Sequence, residues 1–175
     1  MNRKIATALN TVILVILGWC GLSTPAFCQE TNIDEHHNHE MGELELGLSV
    51  GYAYLKEEKE EGVNLHLHLM KRLSGEGIKK YLSVGFGAET IFTDERHYGL
   101  MISLVAHPWR SLAVSVSPGV EWAKHDGEWE SEYATHLEAA YVFEGSGFHF
   151  GPVIGYSKTQ DDEHYTAGVH FAWPL

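Results

Sequence analysis

The chain has 175 residues, with 12 basic against 24 acidic side chains and 12 histidines, a net charge of −12 with histidine neutral. That length suits one domain, and the acidic balance excludes nucleic acid, which needs a basic footprint. No stretch beyond residue 28 has 18 consecutive apolar residues, which excludes a helical membrane protein.

Arg3 and Lys4 precede an apolar run from Ile5 to about Leu17, and Ala26-Phe27-Cys28 follows. A charged start, a short apolar core and an A-x-C site close to A-x-A lay out a secretory signal peptide over residues 1–28. The core is too short and too early for a spanning helix. Cys20 or Cys28 would suit a lipoprotein, but Trp19 and Phe27 are bulky where small residues precede a lipidated cysteine. Cleavage near Cys28 removes both cysteines, and with them thiol and disulfide chemistry. It also removes two basic residues and no acid, leaving 10 basic against 24 acidic groups, or −14. Such a charge suits cations.

Residues 29–42 are polar and lack any apolar period, the mark of a flexible periplasmic segment. They carry His36, His37 and His39 beside Asp34, Glu35 and Glu40. Imidazole and carboxylate in one flexible run can wrap a divalent ion, and imidazole suits zinc, copper or nickel.

From Glu43 to Leu175 large apolar residues alternate with small or polar ones, eight times over. Period two means strands, whose successive side chains leave opposite faces. The first, near 43–56, sets Leu46, Leu48 and Val50 against Gly47, Ser49 and Gly51; the second, near 63–73, sets Val63, Leu65, Leu67 and Leu69 against Asn64, His66, His68 and Met70. The third (79–93) opposes Val84 and Phe86 to Gly85, Gly87 and Glu89, and the fourth (97–107) Leu100 and Ile102 to Met101 and Ser103. The fifth (112–123) opposes Val114, Val116 and Trp122 to Ser115, Ser117 and Glu121; the sixth (131–143) opposes Tyr133 and Leu137 to His136 and Glu138. The seventh (147–158) and eighth (163–175) repeat the scheme, with His149, Gly151, Gly168 and His170 on the polar face. Apolar residues outside a face of Gly, Ser, Ala, Glu and His are the pattern of a barrel dissolved in lipid. A soluble barrel of the lipocalin kind would invert it, apolar inside and Lys, Glu and Thr outside.

Ser74–Gly77, Pro108–Ser111 and Glu144–Gly147 are tight turn signals. Lys56–Gly62, Thr93–Arg96, Lys124–Glu130 and Lys158–Glu163 are longer or heavily charged. Short turns on the side of the termini and long loops opposite predict periplasmic termini and extracellular loops. On this pattern, residues 43–175 resemble the small eight-stranded outer-membrane barrels of the OmpA/OmpX type. The resemblance implies an all-β, eight-stranded antiparallel up-and-down transmembrane barrel, monomeric, in the outer membrane with lipid around it. Members usually end in an aromatic residue, whereas this chain ends Trp173-Pro174-Leu175.

Function then turns on the interior. His66, His68, Glu89, Glu121, His136 and Glu138 all fall on the lumen face, and buried carboxylates need partners. With His36, His37 and His39 of the tail they are the candidate ligands of a divalent transition metal, the one cofactor expected. The competing expectation is a structural or surface-interaction barrel whose His and Glu only fill space. His97, His125 and His164 stand beside Asp94, Glu95, Asp126 and Asp161–Glu163, which reads as a solvated rim. Catalysis has thin support, with no G-x-S-x-G and no H-E-x-x-H, although some barrels of this size modify lipid. An eight-stranded lumen is just wide enough for side chains to fill, which disfavours a general porin.

Overall fold

A computed structural model describes residues 44–94, 96–109, 111–125 and 128–175. Residues 1–28, expected to be a signal peptide, and the segment 29–42, with His36, His37 and His39, lie outside the described residues.

Alternating sequence becomes strand throughout: β1 (Leu44–Leu55), β2 (Glu60–Arg72), β3 (Leu82–Phe92), β4 (Arg96–Trp109), β5 (Leu112–His125), β6 (Glu128–Tyr141), β7 (Phe143–Glu144), β8 (His149–Lys158) and β9 (Glu163–Pro174). Consecutive strands pair antiparallel, except β6 and β7, and β9 returns to pair with β1. β6 and its short continuation β7 both pair with β8, so they form one stave and the sheet closes as an eight-stranded up-and-down barrel. Two backbone bonds of 2.9 Å pin the ends of the closing seam: Lys56 N–H donates to Glu163 O, and Leu175 N–H to Leu44 O.

The two faces are as different as the sequence pattern implies. Phe86, Ile102 and Ile154 are 68%, 61% and 64% exposed on the outside, while Ser49, Asn64, Ser103, Ser117 and Ser157 are buried within. Water would penalise that exterior by ~1.5–3 kcal/mol for each large side chain left uncovered, and lipid removes the penalty. The interior also holds an apolar knot of Ala53, Leu55 and Ile91 that the sequence reading did not single out. Cβ-less residues set how closely the seam strands approach. Gly51 and Gly168 are register partners, and a Cβ on Gly168 would lie 2.6 Å from the Gly51 Cα.

The connections correct one expectation. The stretches read as long loops are mostly hairpin ends: pairing runs to Leu55↔Glu60, Phe92↔Arg96, His125↔Glu128 and Lys158↔Glu163. Their charged residues cost nothing beyond the hydrocarbon, so the ladder continues through them. The longest connection lies at the opposite end, over residues 73–81, where a tight turn was expected. It contains a 3-10 turn, Gly77–Tyr81. Loop length therefore does not tell one end of this barrel from the other.

Candidate metal centre in the barrel lumen

Period two puts Asn64 and His66 of β2, Glu89 of β3, His136 of β6 and His164 of β9 on the inner wall, where the narrow lumen brings them across to one another. Glu89 is the hub. Its Oε1 accepts a hydrogen bond from Asn64 Nδ2 at 2.8 Å and stands 3.4 Å from His164 Nε2. Its Oε2 stands 3.3 Å from His136 Nδ1. The other nitrogen of His136 is 3.3 Å from Ser157 Oγ, which holds the ring at both ends. The ligand atoms of Glu89, His136 and His164 all lie within 4.8 Å of one another. A cavity of about 10 Å³ adjoins them, room for roughly one water-sized atom.

The remaining candidates group separately. His66 Nδ1 is 3.3 Å from Glu138 Oε2. His68 meets His66 edge-on at 5.4 Å and stacks on His170 at 5.1 Å, and His170 Nδ1 lies 3.0 Å from Ser49 Oγ. Gly47 makes this stack fit, because a Cβ there would collide with the His68 ring. These groups border a second cavity of about 50 Å³ towards the Glu45 end of the barrel. Glu121 lies towards the other end, its Oε1 3.1 Å from His97 Nδ1, while His97 Nε2 is 3.3 Å from Glu58 Oε2.

Of the residues singled out from sequence, the structure thus joins Glu89 and His136 and places His66, His68 and Glu138 in a neighbouring cluster. It sets Glu121 apart from both and adds His164. That addition reverses the expectation of a solvated rim: His164 is 1% exposed and His97 3%. Parity would have found both, since 164 continues the inward series 166, 168, 170 and 97 the series 99, 101, 103. The flanking acids masked it.

Chemically, two imidazoles and a carboxylate can do two things. They can balance charge through shared protons, or they can bind a metal with neutral imidazole and ionised carboxylate. Zinc sites use this donor set with nitrogen and oxygen at ~2.0–2.2 Å, which in a tetrahedron sets donors about 3.3–3.5 Å apart. His136 has that separation from one Glu89 oxygen and His164 from the other, so a carboxylate bound through a single oxygen would turn to serve both imidazoles.

No family model matches the chain, and no curated protein does. Among solved structures it is similar to the Neisserial surface protein A, at 8% identity over 77% of this chain and 98% of that one, with a TM-score of 0.59. It is also similar to a de novo designed transmembrane β-barrel, at 13% identity over 73% and 94%, TM-score 0.50. A third, the outer-membrane protein Ail of Yersinia pestis, aligns at 13% identity over 74% and 99%, TM-score 0.48. At such identities the shared property is the fold, that of a closed eight-stranded transmembrane barrel.

Proposed function

We propose that this chain is a small outer-membrane barrel that binds a divalent transition metal inside its lumen, at Glu89, His136 and His164. The observation that carries the reading is the convergence of those three ligand atoms within 4.8 Å, buried and beside a water-sized cavity. Zinc fits this set best, with copper and nickel as the alternatives that imidazole also suits. The cavity has no room for a substrate, so the reading is metal handling and not catalysis. In it the leader 1–28 directs export, His36, His37 and His39 gather the ion, and His66, His68 and Glu138 form a second station deeper in the lumen.

Titration calorimetry of the refolded protein in detergent tests it. One saturable zinc site is expected, weakened at least about tenfold by His136→Ala or His164→Ala, as loss of one zinc ligand implies. It should persist when residues 29–41 are deleted. Zinc uptake that is absent, or unchanged in both His variants, leaves a hydrogen-bonded plug and favours a structural or surface role. Uptake lost only with the tail moves the site there.

Orientation has its own test. With both termini periplasmic, Lys59→Cys should react with an impermeant maleimide on intact cells and Lys79→Cys should not. The reverse pattern inverts the barrel.

A further inference from the structure

The two ends of the barrel carry opposite charge. Residues 71–81 hold Lys71, Arg72, Lys79 and Lys80 against one acid, Glu76, in a chain of net charge −12. Residues 56–61 and 158–163, at the other end, hold three lysines against seven acids. A basic stretch alone would mean little. Here the cations stand where the apolar wall stops. Lys71 continues the outward series of Leu67 and Leu69 by one step, and its register partner Val84 is also exposed on the outer face. Arg72 faces the lumen by the same alternation, so Lys71, Lys79 and Lys80 are the outer cations.

Two features give this arc of the rim an apolar footing. Gly75 and Gly77, at φ of +137° and +69°, let the connection double back, and its 3-10 turn packs on β4. Ile78 and Tyr81 of that turn are left exposed, Ile78 by 74%. Lys80 Nζ lies over the Tyr81 ring, 4.9 Å from its centre, which holds ammonium and aromatic together. Trp109 is the second feature. The inward series 97, 99, 101, 103 would carry residue 109 into the lumen. Between Ala106 and Trp109, however, the register with β5 shifts, and Trp109 pairs with Leu112, whose face continues outside as Val114 and Val116. The irregularity re-aims the indole and leaves it 71% exposed. Tryptophan and tyrosine settle where hydrocarbon meets headgroup.

We propose that this arc is a docking surface for anionic phospholipid headgroups, with Lys71, Lys79 and Lys80 facing the phosphates and Ile78, Tyr81 and Trp109 seated at the acyl boundary. Lysine stems lie along apolar surface while their ammonium groups reach the headgroups. Beside an anionic membrane each such residue is worth roughly fivefold in affinity. The acidic end repels the same lipid, so the preference belongs to one leaflet. With both termini periplasmic, as proposed above, that leaflet is the inner one. The choice of leaflet rests on that reading and is decided by the maleimide pattern; the lipid preference stands or falls separately.

Trace spin-labelled phosphatidylglycerol or phosphatidylcholine, in phosphatidylcholine bilayers holding the refolded barrel, provides the test. The motionally restricted fraction of each label reports its affinity for the barrel wall. Phosphatidylglycerol should be favoured at least about threefold at low salt, and less in 1 M salt, where exposed charges are screened. Replacing Lys71, Lys79 and Lys80 together by Gln should remove the preference, and Lys59→Gln at the opposite end should keep it. Heat-shifted migration on gels confirms folding, and the Lys79→Gln, Lys80→Gln pair, on the exposed turn, serves if the triple variant fails to refold. The proposal is overturned if the wild-type barrel shows no preference, or if the folded lysine variants keep it in full. It is also overturned if the preference appears only when residues 29–41 are deleted. That result would give the surface to this segment, which has four acids and joins β1 at Leu44, the register partner of Lys71.

Discussion

A Glu89→Ala barrel is expected to lose about 3–5 kcal/mol of stability in detergent, the typical cost of removing one member of a buried charged group. Glu89 is where three side chains from three other strands converge: Asn64 of β2, His136 of β6 and His164 of β9. Truncation leaves two buried imidazoles and an amide donor without their acceptor and opens a void between them. Glu89→Gln keeps an acceptor oxygen of the same shape and should fall between the two. Glu128→Ala, on the exposed end of β6, should shift stability by no more than about 0.5 kcal/mol. Urea midpoints for the four proteins, with chelator present, decide the matter. A Glu89→Ala midpoint matching that of Glu128→Ala would mean that the hub contributes nothing to stability. Repeating the series with zinc should widen the gap, because a ligand that binds only the folded state adds to its stability.

The second large effect is on closure. Gly168→Val is expected to abolish the heat-modifiable folded species after refolding, whereas Ala167→Val, one residue earlier and facing outward, should leave it intact. At residue 168 a side chain would press on the Val50 carbonyl and the Gly51 Cα of the partner strand. Both are backbone atoms held by the ladder, so no rotamer change relieves the clash. Overpacking of this kind costs ~1–3 kcal/mol or more even where side chains can yield. Here it falls on the one seam that joins the first strand to the last. Comparable folded fractions for the two valine variants would show that the seam has slack.

These effects also mark what sequence could and could not reveal. The strands and their two faces were legible because period two is a local property, visible in Leu65-His66-Leu67-His68 without knowing any neighbour. Register was not, and the site depends on register. That Glu89 meets His136 and His164, and not the equally inward Glu138, is settled by which staves face each other across the lumen. Glu121 shows the same point: Gly99 pairs with both Glu89 and Glu121, so the two acids lie on one ladder row, yet they serve different cavities. The ends of the strands were misjudged because charge was taken as a sign of loop. Outside the hydrocarbon a charged residue pairs as well as any other, so Glu128-Trp129-Glu130 is strand and His164 lies within the wall.

The shortness of the connections sets what can reach the mouth. At about 3.3 Å per residue and a tilt near 45°, strands of this length span roughly 25–33 Å along the membrane normal. A barrel's apolar belt takes up about 25 Å of that. If, as proposed, both termini are periplasmic, the hairpins at 56–59 and 159–162 face the outer leaflet and, in the described residues, end only a few ångströms beyond the hydrocarbon, at about the level of the lipid headgroups. In an envelope whose outer leaflet carries long sugar chains, such a barrel lies beneath the canopy. Visitors that can thread between the chains arrive readily, and those are ions and small solutes. A bulky protein partner would have to part the chains first.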